Sequence, residues 1–230
     1  MFKRRIITSS KKPVWREYGE ALIIAFVLAM IIRFFMVQAY QIPSGSMLDT
    51  LLIGDRLLVS KISYNVKVPF TDKVLFRPGE PEFGDVVVFT TPDPENPGAD
   101  YIKRVIGVPG DTIEMKNNFI YRNGERLDEP YARKTHPPMG FTSYTHVGLF
   151  VQGNTQNFAP IAVPEDKYFV LGDNRDDSRD SRFWGFVERD AMHGKAWRMY
   201  WSWGGKRGDA GSSGFDDTGP RWSRIGRLVE

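Results

Sequence analysis

The feature that most limits this chain is the apolar run Ala21–Ile32, which follows a leader rich in basic residues. The first 16 residues carry Lys3, Arg4, Arg5, Lys11, Lys12 and Arg16 and no acid. Twelve helical residues rise only about 18 Å, short of a bilayer core of roughly 30 Å. Continuing through Arg33 to Phe34–Val37 makes the span sufficient, because an arginine near a helix end can carry its head to the headgroups. Trp15, Tyr18 and Tyr40 flank the run as interfacial aromatics. One N-terminal transmembrane helix is therefore expected over residues 17–39. Residues 1–16 would be a cytosolic basic tail, and everything from Tyr40 onward would lie outside. A cleaved secretory leader competes with this reading, since small residues precede Tyr40 in Val37-Gln38-Ala39. The long basic stretch and Arg33 fit that alternative less well.

Behind the anchor the pattern changes to short β-branched runs bounded by Gly, Pro and Asp. "DRLLVSKISY", "DVVVFTTP", "DYIKRVIGV", "DTIEM" and "KYFVLGD" read as strands. In "NFIYRNGERLD" the Asn123-Gly124 pair marks a hairpin turn. No long amphipathic helix period follows Tyr40, so this part reads as all-β, a barrel or sandwich. From 128 to 165 Pro, Gly, Thr and Asn are dense and apolar alternation is weak, the texture of an inserted lobe or long hairpin.

Composition closes several routes. The 230 residues contain no cysteine, which removes disulfides, thiol catalysis and cysteine-held metals. His136, His146 and His193 lie at no metal-ligand spacing, so neither a metal nor another cofactor is expected. The net charge is +3 and the basic excess sits in the tail, which gives no surface for nucleic acid.

Three segments could carry chemistry. "QIPSGSMLDTL" places Ser44 and Ser46 around Gly45, which would let the backbone turn sharply and leave the Ser46 N–H facing an oxyanion. A serine is a weak nucleophile without a neighbouring base, and by itself the stretch reads first as a Ser-Gly turn leaving the membrane. In "YIKRVIGVPGD", strand alternation puts Tyr101, Lys103 and Val105 on one face and Ile102, Arg104 and Ile106 on the other. A lysine on the apolar face of a strand is unusual, although a lysine snorkelling at a sheet edge is a common alternative. "LGDNRDDSRDSRFWG" fails as a calcium loop on spacing. It reads as a loop in which Asp173, Asp176 and Asp180 brace Arg175 and Arg182, with Ser178 and Ser181 as orienting hydroxyls; a solvated turn would look the same.

Taken together, "IPSGSM", "GDRLLVSKISY", "YIKRVIGVPGD" and "GDNRDDSRDSRFWG" resemble, in order and form, the motif boxes of bacterial type I signal peptidases. The resemblance covers the anchor, nearly all of 40–128 and 168–203, and "RWSRIG" near the end. It implies a Ser/Lys serine protease with no cofactor. Ser46 aligns with the nucleophile and Lys103 with the general base. Ser44 aligns with a hydroxyl of the oxyanion hole and Ser178 with the hydroxyl that orients the lysine. Asp180 and Arg182 align with a structural ion pair near the site, beside Asp173, Asn174 and Arg175. Tyr40, Ile42, Leu57, Val88, Asp100, Tyr101 and Ile102 fall on positions lining the pockets for substrate residues −1 and −3. One position departs: Asp49 stands where the family usually has proline.

The implied protein is mainly β, an antiparallel β-sheet catalytic domain of residues 40–127 and 166–230 interrupted by an inserted β lobe, 128–165. It would sit in the bacterial cytoplasmic membrane by a single pass, with the domain on the outer face. Its partners would be the signal peptides of exported preproteins and the lipid bilayer. Two other readings stand beside it. A self-cleaving repressor of related fold would need a DNA-binding helix-turn-helix, absent here; a non-catalytic anchored β-domain would not need Ser46, Lys103 and Ser178 together.

Overall fold

Helix α1, Val14–Ile31, begins at Pro13, whose extended backbone starts the first turn. The computed structural model describes residues 13–68, 71, 73–134, 157–204 and 219–230. Leu22, Ile23, Ile24, Phe26, Val27 and Leu28 point out on all sides of α1 and are exposed. Even so, no helix among the described residues is long and apolar enough to cross a membrane. Arg16, Glu17 and Glu20 occupy the first turns of α1, and Ala21–Ile31 rises only about 16 Å. A π-helical turn, Ile32–Met36, follows and the backbone then becomes extended. The expected helix over 17–39 therefore ends early, because residues 37–39 pair in the sheet with Ser60, Val59 and Leu58.

The strands follow as β1 (Val37–Gln41), β2 (Asp55–Ser60), β3 (Val66–Lys67), β4 (Val74–Phe76), β5 (Val86–Thr90) and β6 (Asp100–Gly107). Then come β7 (Thr112–Lys116), β8 (Phe119–Arg122), β9 (Glu125–Arg126), β10 (Phe158–Ala162) and β11 (Lys167–Leu171). A one-turn helix α2 (Ser181–Trp184) precedes β12 (Val187–Glu188), β13 (Met192–Gly204) and β14 (Gly219–Pro220). The main sheet runs β1-β2-β13-β5-β6-β11-β12, with β14 on β13, and each of these pairs is antiparallel.

Strand β5 shows why the core forms. Val86 and Val88 enter one apolar cluster with Ile42, Met47, Leu51, Leu57 and Val59, while Val87 and Phe89 enter another with Val105, Tyr168 and Val170. With both faces covered, the strand reads as an unbroken apolar run rather than an alternating one. Each such side chain contributes roughly 1.5–3 kcal/mol by leaving water.

The mainly antiparallel β architecture agrees with the reading of the sequence; two details differ. Strand β13, central to the main sheet, shows no clean period of two because its register shifts at three places, including Ala196/Arg198 and Met199/Trp201. The second sheet, β10-β7-β8-β9, begins at Thr112, well before the expected insertion at 128. Asn117 and Asn118 both have positive φ (51° and 66°), which makes the tight turn joining β7 and β8. Most of the rest of the expected insertion, residues 135–156, lies outside the described residues, as do His136 and His146.

Candidate active site

Ser46 is placed by the apolar residues around it. Ile42 is held at the end of β1 by backbone bonds to Asp55 and Gly54, and the Leu48 N–H donates to the Gly45 carbonyl, closing the turn. Met47 and Leu51 are fully buried, so the turn is pinned to the core directly after the serine. Ser46 itself is nearly buried, and among the described residues no acceptor takes its N–H. Ser44 is exposed two residues earlier.

Lys103 arrives from β6. Its Nζ donates to Ser46 Oγ at 2.7 Å and to the Ile102 carbonyl at 3.1 Å, and it lies 5.3 Å from the centre of the Tyr101 ring. The lysine is 4% exposed, and no ion pair among the described residues neutralises it. Burial pushes its pKa down to about 8; the Asp180 charge opposes that fall and the Arg182 charge adds to it. A lysine at its ordinary value of 10.5 is neutral in about one molecule in 3,000 at pH 7, and one near 8 in about one in ten. When neutral, this amine can accept the proton of the hydroxyl it touches.

The loop after β11 holds both partners. Asn174 grips the turn twice: its N–H donates to the Ser46 carbonyl at 3.1 Å and its side-chain amide to the Gly45 carbonyl at 3.0 Å. Gly172 is required by close approach, since a Cβ there would overlap the Ser178 hydroxyl and the Ser46 carbonyl. Ser178 Oγ is buried; it lies close enough to Asp180 to favour that carboxylate but makes no hydrogen bond of good geometry. Arg182 binds both oxygens of Asp180, at 2.8 and 2.9 Å, and the Arg175 carbonyl. Burial alone would raise the Asp180 pKa; Arg182 and the Gly172 N–H hold it below the usual carboxylate range instead.

The bracing differs from the expected pattern. Arg182–Asp180 closes within the loop as expected. Asp173 takes Arg104 of β6 at 2.9 and 2.8 Å and the Thr50 hydroxyl at 2.6 Å, and Arg175 takes Glu129 at 3.0 and 2.6 Å. Thr50, Arg104 and Glu129 thus belong to the frame of the site although no sequence motif ties them to the loop. Asp49 adopts φ 77°, a left-handed backbone that aspartate tolerates and proline, fixed near −65°, cannot.

Two strand edges run past the two side chains. Strand β1 is the first strand of the sheet, and β11 joins β6 only from Arg104 onward. One edge of Tyr40–Gln41 and one edge of Asp100–Lys103 are therefore without a strand partner among the described residues. Tyr40, Ile42, Leu57, Val88 and Ile102 meet on a single apolar cluster. Tyr101 does not join them: alternation turns it to the opposite face, where it packs with Val87 and Phe89 behind Lys103 and its hydroxyl donates to Asp93 at 3.4 Å.

Known proteins resemble this chain over most of its length. The family model described as "Signal peptidase, peptidase S26" matches residues 15–201. The chain is 38% identical to a probable signal peptidase I-2 of Synechocystis sp. over 84% of its own length and 79% of that protein's. It is 39% identical to signal peptidase I S of Bacillus subtilis, covering 75% and 81% of the two chains. With signal peptidase I of Pseudomonas fluorescens the identity is 34%, over 84% and 75%. A buried lysine against a serine hydroxyl, on a β scaffold matched across most of its length, leads to one placement: the chain belongs to the signal peptidase family and is a type I signal peptidase, a serine endopeptidase.

Proposed function

We propose that this chain removes N-terminal signal peptides from exported preproteins by a Ser46/Lys103 dyad, at the outer face of the bacterial cytoplasmic membrane. The observation that carries the reading is the 2.7 Å contact between Lys103 Nζ and Ser46 Oγ at a lysine that burial has made easy to deprotonate. Neutral Lys103 accepts the Ser46 proton while Oγ attacks the scissile carbonyl carbon. The oxyanion is met by the Ser46 N–H and the Ser44 hydroxyl. Lys103, now an ammonium, passes its proton to the leaving amine, and the acyl-enzyme remains. A water then gives its proton to Lys103 and its oxygen to the acyl carbon, the bond from that carbon to Ser46 Oγ breaks, and Lys103 returns the proton to Oγ. Arg182 holds the Ser178 carbonyl at 3.3 Å, and the Ser178 hydroxyl, without a hydrogen-bond partner among the described residues, is the group left to turn the amine toward Ser46 during the reaction.

The substrate lies as an extended strand between the open edges of β1 and β6, which supply backbone partners. Alternate side chains then face the cluster of Ile42, Leu57, Val88 and Ile102, whose tight packing leaves room only for small residues at −1 and −3. A helix apolar on every side fits a lipid surround rather than water, so α1 and the turn after it hold these edges at the bilayer where such a substrate emerges. Trp203 and Trp222, exposed beside Trp201, suit the same interface. The test is to incubate the detergent-solubilised full chain with a preprotein and sequence the new N-terminus. Cleavage after a small residue that disappears in Ser46→Ala is expected. Cleavage that survives Ser46→Ala would refute the assignment.

A further inference from the structure

One ion pair joins two loops that meet beside Lys103. Residues 91–99 link β5 to β6, and the Thr91 N–H closes that loop by donating to the Ala99 carbonyl at 2.8 Å. Asp93, within it, is fully buried. Arg179, 86 positions later, stands between Ser178 and Asp180 in the loop after β11. Its Nε and Nη2 donate to the two oxygens of Asp93 at 2.6 and 2.9 Å, and Nη2 also lies 3.1 Å from Glu95. The Asp93 carboxylate takes two more donors, the Glu95 N–H at 3.1 Å and the Tyr101 hydroxyl at 3.4 Å. Tyr101 is the residue whose ring faces the Lys103 amine.

The pair is poorly built for stability alone. A buried ion pair gives up hydration on both sides and often adds nothing to the unfolding free energy. Arg179 Nη1 is also buried without a hydrogen-bond partner, whereas Arg104 uses all three of its nitrogens. What the pair does fix is direction. Asp93 anchors the Tyr101 hydroxyl, which keeps the ring from swinging off the lysine, and Arg179 ties that anchor to the residue after Ser178. The charges acting on the Lys103 amine are those of Asp180, Arg182 and Asp173, all on the loop after β11. From β6 the amine meets Tyr101, and from the turn after β1 it meets the Ser46 hydroxyl. Asp93 and Arg179 act one step back, through Tyr101 and through the loop.

Given the Ser46/Lys103 dyad proposed above, we propose that Arg179 and Asp93 are positioning residues for the catalytic lysine. Their ion pair clamps the loop between β5 and β6 to the loop after β11 and holds the Tyr101 ring against the Lys103 amine, which keeps water off the base.

The test is the pH profile of kcat/KM for the full chain in detergent, on a preprotein with Ala at −1. Without the clamp water reaches the amine, its charged form is favoured, and the acid-limb midpoint moves up from about 8 toward 10.5. Asp93→Asn and Arg179→Met should each raise it by about one pH unit, a loss of about tenfold at pH 7 that disappears on the alkaline plateau. Charge alone does not give that pattern: losing a cation raises the midpoint, but losing an anion lowers it. Tyr101→Phe, which keeps the ring and drops its anchor, should raise the midpoint by less. Arg179→Met combined with Asp93→Leu leaves no orphaned charge, so it should keep the fold and still show the raised midpoint. A midpoint that stays near 8 in the folded double variant, or that falls in Asp93→Asn, would overturn the clamp while leaving the dyad intact. A wild-type protein that does not cut, or whose profile has no limb near 8, would overturn the proposed function and the clamp with it.

Discussion

Two buried cations sit next to each other on β6, and their surroundings could hardly differ more. Arg104 gives two hydrogen bonds to Asp173, others to the carbonyls of Gly84 and Glu230, and stacks 4.0 Å from the Tyr131 ring centre. Lys103, on the other face, meets one hydroxyl, one carbonyl and an aromatic wall. A buried charge is tolerated when its donors are matched, as at Arg104, and driven toward neutrality when they are not, as at Lys103. One strand thus supplies both a fixed brace and a proton acceptor. The choice of residues follows: a guanidinium does not deprotonate in this range, and an amine does.

The comparison breaks first at Lys103. Lys103→Arg keeps the charge and removes the base, so kcat/KM should fall by at least about a thousandfold, measured on a preprotein with Ala at −1. An arginine variant within tenfold of wild type would mean that the charge, not the base, matters there. On the other face the loss should appear in stability. Asp173→Asn leaves Arg104 buried against a neutral amide and should cost about 3 kcal/mol or more of unfolding free energy. Arg104→Met combined with Asp173→Leu should cost less than Asp173→Asn alone, because no orphaned charge remains. Denaturant titration of the three proteins distinguishes them; a double variant worse than the single one would show that the pair stabilises beyond its own desolvation.

The smallest effect belongs to the turn after the nucleophile. Asp49→Gly relieves a left-handed residue and should leave stability unchanged or raise it by up to about 1 kcal/mol. Asp49→Pro, which would bring back the residue usual in the family, demands a backbone this turn does not have and should destabilise it. A proline variant as stable and active as wild type would show that the turn readily adopts the other conformation.

How far the site could be read without coordinates also divides along β6. Lys103 was legible, because period-two alternation puts it on the face of Tyr101 and Val105, where an unpaired lysine needs a reason. The brace was not. Arg104 finds Asp173, and Arg175 finds Glu129, across the fold, and short-range spacing carries no trace of either pair. The charged loop therefore reads as bracing itself, whereas Asp180–Arg182 closes locally and Asp173 and Arg175 pair outside it. Gly172 was hidden for a related reason, as was the grip of Asn174 on the turn, a residue named from the resemblance only as lying near the site: each acts because the Ser46 turn approaches from 126 or more positions away. Strands β2, β5, β6, β7 and β11 follow their apolar patterns, whereas β13 is obscured by its bulges and β1 by the apolar run it adjoins. The same adjacency accounts for an anchor reading that extended into the sheet.

The central claim is that Lys103 works as a neutral base because burial lowers its pKa, and the pH dependence of kcat/KM tests it most directly. That profile reports the free enzyme. With Lys103 near 8, the lysine is protonated below that value, so activity should fall about tenfold per pH unit below pH 8 and level off above it. A profile with its midpoint close to 8 on the acidic limb is the predicted result. A rise that continues to the ordinary lysine value of 10.5, or a midpoint near 6.5 that vanishes when His193 is replaced, would contradict it.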